Sequence, residues 1–240
     1  MSRLNFIFLL VIVFTVFGCA PATSAPEIQE SATPNIQKSD MQTHFLALGD
    51  SYTIGQGVSE KNRWPNQLAD LLNEKGYPTE ITVVARTGWT TADLWYGLEK
   101  VNPQRTYDLV TLLIGVNDQF RGYPLDVYRE DFQFILRKAI EYADGNADRV
   151  IVLSIPDYGY TPASLGRDIE QISLGIDAFN EVNRDETGNA GASYIDITTI
   201  SRMALDDFEL TTGDRLHPSG KMYTLWVKKV LPVALEIIKR

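Results

Sequence analysis

The sequence predicts an α/β domain whose parallel sheet is covered by helices on both faces. Three observations lead there. Five short apolar segments rich in strand-forming residues recur along the chain, at Phe45–Leu48, Ile81–Ala85, Leu109–Ile114, Val150–Ser154 and Ser193–Ile197. Segments with apolar residues at helical spacing alternate with them, the pattern of parallel strands joined by crossover helices. Polar and glycine-bearing stretches follow several of the strands, and in such sheets the ligand crevice lies beyond the carboxyl ends of the strands.

Taken in order, the first strand leads to a helix over Trp64–Asn73. The second leads to a helix over Thr91–Lys100, with Thr90 and Asp93 spaced for a capping box. After the third comes the clearest helix. Pro124 is placed to open it, and Leu125, Tyr128, Phe132, Ile135 or Leu136, and Ala139 recur along one face. A helix near Arg167–Asn183 follows the fourth strand. The last runs from about Ser219 to Ile238, with Pro232 placed to kink or split it.

The domain is expected over 43–240. Ahead of it, Arg3 and the apolar run Phe6–Phe17 read as a signal peptide over 1–18, too short to span a bilayer comfortably. The run ends in Val16-Phe17-Gly18-Cys19, which resembles the lipobox of bacterial lipoproteins. That resemblance implies acylation of Cys19, the single cysteine of the chain, and an extracytoplasmic, lipid-anchored location. Residues 19–42 are rich in Pro, Ser, Thr, Ala and Gln with few large apolar residues, the composition of a flexible tether. With 22 Lys and Arg against 31 Asp and Glu, the net charge of −9 argues against nucleic acid as a partner. It argues equally against a polybasic membrane-docking surface, leaving the lipid anchor as the expected membrane contact.

The residues after the strands carry the chemistry. Gly49-Asp50-Ser51-Tyr52 follows the first strand, Arg86-Thr87-Gly88-Trp89 the second and Gly115-Val116-Asn117-Asp118 the third; Asp214-Arg215-Leu216-His217-Pro218 lies beyond the fifth. A serine nucleophile needs a base within hydrogen-bond reach and a group that orients the base. Of the two histidines, His44 precedes the first strand and belongs at the far edge, whereas His217 falls on the edge of Ser51. Asp214, three residues earlier, is close enough to hold the imidazole. Backbone N–H groups at Ser51 and Gly88 and the Asn117 amide are candidate oxyanion donors, although each of Gly88 and Asn117 taken alone reads better as a turn residue. Trp89, Gln119, Tyr123 and Tyr158 are candidates for a substrate-binding wall, or else for packing of loops onto helices. Asp50 and Asp118 are expected to hold loop backbone. No metal-ligand spacing and no glycine-rich phosphate loop is present, so neither metal nor cofactor is expected.

In order and rough spacing these four segments resemble the blocks of the SGNH/GDSL hydrolase superfamily, over about Leu46 to Gly220. The resemblance implies a flavodoxin-like three-layer α/β/α sandwich with five parallel strands. It also implies a Ser51–His217–Asp214 triad and an oxyanion hole from Ser51, Gly88 and Asn117. The expected activity is hydrolysis of carboxylic esters, acyl or acetyl, on glycans or small molecules. Lysophospholipase or thioesterase activity is the alternative within the same chemistry. A non-catalytic glycan-binding surface lipoprotein is the alternative of another class, disfavoured because every expected residue is present.

Overall fold

Thr43–Gly49 (β1) is buried along nearly its whole length, as a central strand covered on both faces must be. A computed structural model describes residues 42–240; the expected leader, Cys19 and the tether up to Met41 lie outside the described residues. Four further strands join β1: Thr79–Ala85 (β2), Leu109–Leu113 (β3), Val150–Leu153 (β4) and Ser193–Ile195 (β5). All pairings are parallel, in the order β2-β1-β3-β4-β5. That is the flavodoxin-like order, with its reversal between β1 and β3. The expected fold class is therefore the observed one.

The helices are Ser51–Ile54 (α1), Trp64–Glu74 (α2), Thr91–Val101 (α3), Val116–Phe120 (α4), Leu125–Tyr142 (α5), Ile169–Ala190 (α6), Thr198–Ser201 (α7) and Gly220–Ile238 (α8). Thr90 caps α3 through the reciprocal bonds of a capping box with Asp93. One helical layer pairs α2 with α8; the other packs α3 and α6 against α5. Trp64 of α2 and Trp226 of α8 are fully buried, and truncating either to Ala is expected to cost about 3–5 kcal/mol.

Most boundaries shift by a few residues from the sequence expectation, and three elements show the physical reason. The strand β5 stops at Ile195 because the next free donors, Ile197 N–H and Thr198 N–H, go to the Ser154 hydroxyl instead of a ladder. The helix α6 starts at Ile169 under an Asp168 cap and continues to Ala190, where Gly191 adopts φ 77°. The helix α8 runs through Pro232 without splitting. Pro232 and Lys228, whose carbonyl loses its partner, both lie on the exposed face, where water reaches the freed group.

Register places the site. Gly49 at the end of β1 pairs with Ala85 of β2 on one side and Leu113 of β3 on the other. The three segments that follow these residues therefore leave the sheet side by side.

Candidate active site

Ser51 opens α1 directly behind Asp50, whose carboxylate accepts the Tyr52 N–H at 2.9 Å and so caps the turn. The second Asp50 oxygen is buried with no protein partner. Burial pushes this carboxyl up to about 8; the Tyr52 N–H pulls the other way and the charge of Asp118 adds to the rise. Burial thus favours the protonated form of Asp50.

The segment after β2 turns at Gly88 with φ 82°, a conformation that glycine adopts at little cost. Its carbonyl accepts from Arg121 Nη2 at 2.7 Å, and Arg121 also lies 3.7 Å from Asp93. After β3, Gly115 has φ 121°, and a side chain there would meet the Tyr128 hydroxyl at 2.2 Å. Asn117 donates through Nδ2 to the Trp89 carbonyl at 2.8 Å. Asp118 is fully buried and accepts the Thr91 N–H on both oxygens, at 3.2 and 3.1 Å. Burial raises its carboxyl to about 6 against the pull of that N–H. The segments after β2 and β3 are therefore bound to one another by Asn117, Asp118 and Arg121.

The fourth segment lies in the loop before α8. Asp214 Oδ2 stands 2.7 Å from His217 Nδ1. Its other oxygen accepts from the Thr212 hydroxyl at 2.7 Å, Leu216 N–H at 2.9 Å and His217 N–H at 3.0 Å. Partial burial opposes ionisation of Asp214, but these donors outweigh it and hold the carboxyl well below the usual carboxylate range. The imidazole is buried, with the Tyr52 ring 5.8 Å away. Tyr52 packs in turn on Trp226 of α8, at 6.3 Å.

A cavity of about 470 Å³ is lined by Ser51, Gly88, Asn117 and His217 together. Asp214 stands behind the imidazole. Tyr158 also lines the cavity, from the turn at Tyr158–Tyr160 that follows β4. Trp89 is not among the lining residues: its ring lies over Gly97 of α3, and what it offers the site is its carbonyl. Gln119 lines a shallower adjoining cavity and packs against Gly175 of α6, and Tyr123 lines neither. His44 sits at the start of β1 beside Glu80 and Arg105, away from this crevice. Phe120 and Arg167 line the cavity and were not singled out in the sequence. Phe120 reads there as one more apolar residue. Arg167 reads as a solvated charge at the start of a helix.

The arrangement belongs to a doubly wound α/β protein with a serine, an oriented histidine and hydrogen-bond donors at the carboxyl edge of its sheet. The chain belongs to the GDSL-like Lipase/Acylhydrolase family, whose model matches residues 47–225. It is 30% identical over 128 residues to an arylesterase of Vibrio mimicus, a match covering 52% of this chain and 62% of that protein. The chain thus spans less than two thirds of that relative's length. Among solved structures, TesA superposes with a TM-score of 0.65 at 19% identity, covering 81% of this chain and 99% of TesA. An acetylxylan esterase from Geobacillus stearothermophilus gives 0.61 at 18% identity, covering 82% of this chain and 94% of the enzyme. At these identities the likeness is one of fold.

Proposed function

We propose that the chain is an extracytoplasmic serine esterase that hydrolyses carboxylic esters, with Ser51 as nucleophile, His217 as base and Asp214 as orienting carboxylate. The 2.7 Å contact of Asp214 Oδ2 with His217 Nδ1, at the cavity that Ser51, Gly88 and Asn117 share, is the observation that carries it. Family membership and the arylesterase relative support the same reaction class.

An ionised Asp214 keeps the Nδ1 proton on His217, so Nε2 is free to accept. Ser51 Oγ adds to the ester carbonyl carbon while its proton passes to Nε2. The oxygen that becomes negative takes hydrogen bonds from Ser51 N–H, Gly88 N–H and the Asn117 hydrogen not given to Trp89. Collapse expels the alcohol, which takes the proton from His217. Water then adds to the acyl carbon as His217 removes its proton, and collapse releases the acid while Ser51 Oγ takes that proton back from His217.

The cavity mixes Phe120, Tyr158 and Leu216 with Gln56, Thr87 and Arg167. Such a lining fits small or acetyl esters, those of glycans included, better than long acyl chains. Lipid attachment at Cys19 rests on the Val16–Cys19 motif. Cys19→Ala should move the protein from the membrane fraction to the soluble one, and unchanged partitioning would refute the anchor.

The decisive test of the activity uses the full chain beside Ser51→Ala, with p-nitrophenyl acetate, butyrate and octanoate and a fluorophosphonate probe. Turnover that needs Ser51, declining with chain length, and probe attached to Ser51 are expected. A Ser51→Ala protein as active as the wild type would end the proposal.

A further inference from the structure

Arg167 stands between Leu165 and the start of α6 and lines the cavity together with Ser51 and His217. Two neighbouring arginines are committed, whereas Arg86 and Arg215 are exposed and line neither cavity. Arg121 is bound to the Gly88 carbonyl and sits beside Asp93, and Arg202 is paired with Asp157 and Asp177. Arg167 instead lies with its guanidinium carbon 5.6 Å from the centre of the Phe120 ring. Phe120 in turn meets Tyr158 edge-on at 5.8 Å. Contact with an aromatic ring engages the guanidinium without consuming its fork of N–H donors. The same three residues also line the adjoining cavity, so they form a ledge between the two spaces. Asp168, the carboxylate next to Arg167 in sequence, lines the adjoining cavity and accepts the Gln171 N–H as the cap of α6. Among the described residues Arg167 forms no ion pair, so a free cation lines the cavity of a chain whose net charge is −9.

We propose that Arg167 makes this site selective for esters carrying an oxyanion group, a carboxylate or a phosphate, elsewhere on the molecule. The inference rests on the esterase reading above. The guanidinium fork matches either anion through paired hydrogen bonds. Phe120 holds the fork in place, and the Tyr158 hydroxyl offers a neutral donor or acceptor beside it.

Pairs of esters with and without an anionic group, each rate taken relative to that ester's own hydroxide-catalysed hydrolysis, test this. On the alcohol side, 4-acetoxybenzoate and 4-acetoxyphenyl phosphate are each compared with methyl 4-acetoxybenzoate. On the acyl side, monophenyl glutarate is compared with its methyl ester. In at least one comparison the anion should be favoured by about tenfold in kcat/KM, the size of one charge-assisted contact at a solvent-accessible site. Which comparison responds tells carboxylate from phosphate and alcohol side from acyl side. The preference should shrink with added salt, vanish or reverse in Arg167→Gln, and survive in part in Arg167→Lys. An anion preference unchanged in Arg167→Gln, or none in any comparison, overturns the proposal.

Binding of the same esters to Ser51→Ala, followed by calorimetry, separates the two readings. An anion preference there that Ser51→Ala/Arg167→Gln lacks would uphold Arg167 even if the wild type hydrolysed nothing. Equal binding of charged and neutral esters would defeat the proposal whatever the fate of the esterase reading.

Discussion

Asn117 gives one hydrogen of its side-chain amide to the carbonyl of Trp89, 2.8 Å away, across the gap between the segments after β2 and β3. That bond fixes the amide plane and leaves the second hydrogen directed by the first. Asn117→Ala should lower kcat by about 10²–10³-fold, the usual cost of one oxyanion donor, with KM nearly unchanged. Steady-state kinetics on p-nitrophenyl acetate decides it. A change confined to KM would place Asn117 in ground-state binding.

Gly88 depends on Arg121 in a similar way, through the 2.7 Å bond to its carbonyl. The carbonyl and the candidate donor N–H belong to adjoining peptide groups, so a loosened carbonyl lets the donor tilt. Arg121→Ala is expected to cost about 10–100-fold in kcat, as small misplacements do. Arg121→Lys should recover part of the loss. Unaltered kcat in Arg121→Ala would mean that the Gly88 turn holds itself.

Asp50 predicts a pH signature in stability rather than rate. The unfolded carboxyl releases its proton near 3.8, whereas the folded one keeps it to about 8. Between those values the folded state binds the extra proton, so stability from this group is full below 3.8 and falls as pH rises toward 8. Asn at position 50 still offers an oxygen to the Tyr52 N–H but does not titrate. Melting curves of Asp50→Asn should therefore gain on the wild type as pH climbs through this window. Parallel profiles would show that Asp50 titrates normally.

Asp157 is fully buried and accepts from Arg202 Nε at 2.9 Å, the Ser173 hydroxyl at 2.7 Å and Gly159 N–H at 2.8 Å. These bonds hold the turn that carries Tyr158 into the cavity. Arg202→Met strands a buried charge and should destabilise the protein by about 3–5 kcal/mol. Adding Asp157→Asn should return part of that, as coupled neighbours do in a double-mutant cycle. Chemical denaturation measures both; additive losses would mean that the pair is not coupled.

The sheet was legible because β1, β3 and β4 are buried, mainly apolar runs bounded by glycine or polar residues, and the outer strands β2 and β5, only partly buried, keep enough apolar residues to read as strands. Ser51, Gly88, Asn117 and His217 were legible as neighbours because three of them follow strands that end in register. The walls were less so. Trp89 was expected in the substrate wall, yet packing over Gly97 gives its ring a dry surface that the open crevice does not offer. Phe120, one position beyond Gln119 on the short helix α4, is 58% exposed, which no helical pattern distinguishes from a core residue. Arg167 reaches the cavity only because the segment after β4 folds back across it, held in part by the bond from Ala163 N–H to the Arg215 carbonyl. That contact joins residues far apart in sequence, and no local signal encodes it.

The rung shared by Gly49, Ala85 and Leu113 divides labour within the molecule. Ser51, Gly88 and Asn117 hang from segments that leave this rung directly, while the strip from Tyr158 to Arg167 that overlooks them packs on α6 and is tied back at Ala163. Substrate preference can therefore drift, or be rewritten by grafting a different strip, without realigning the parts that break the bond.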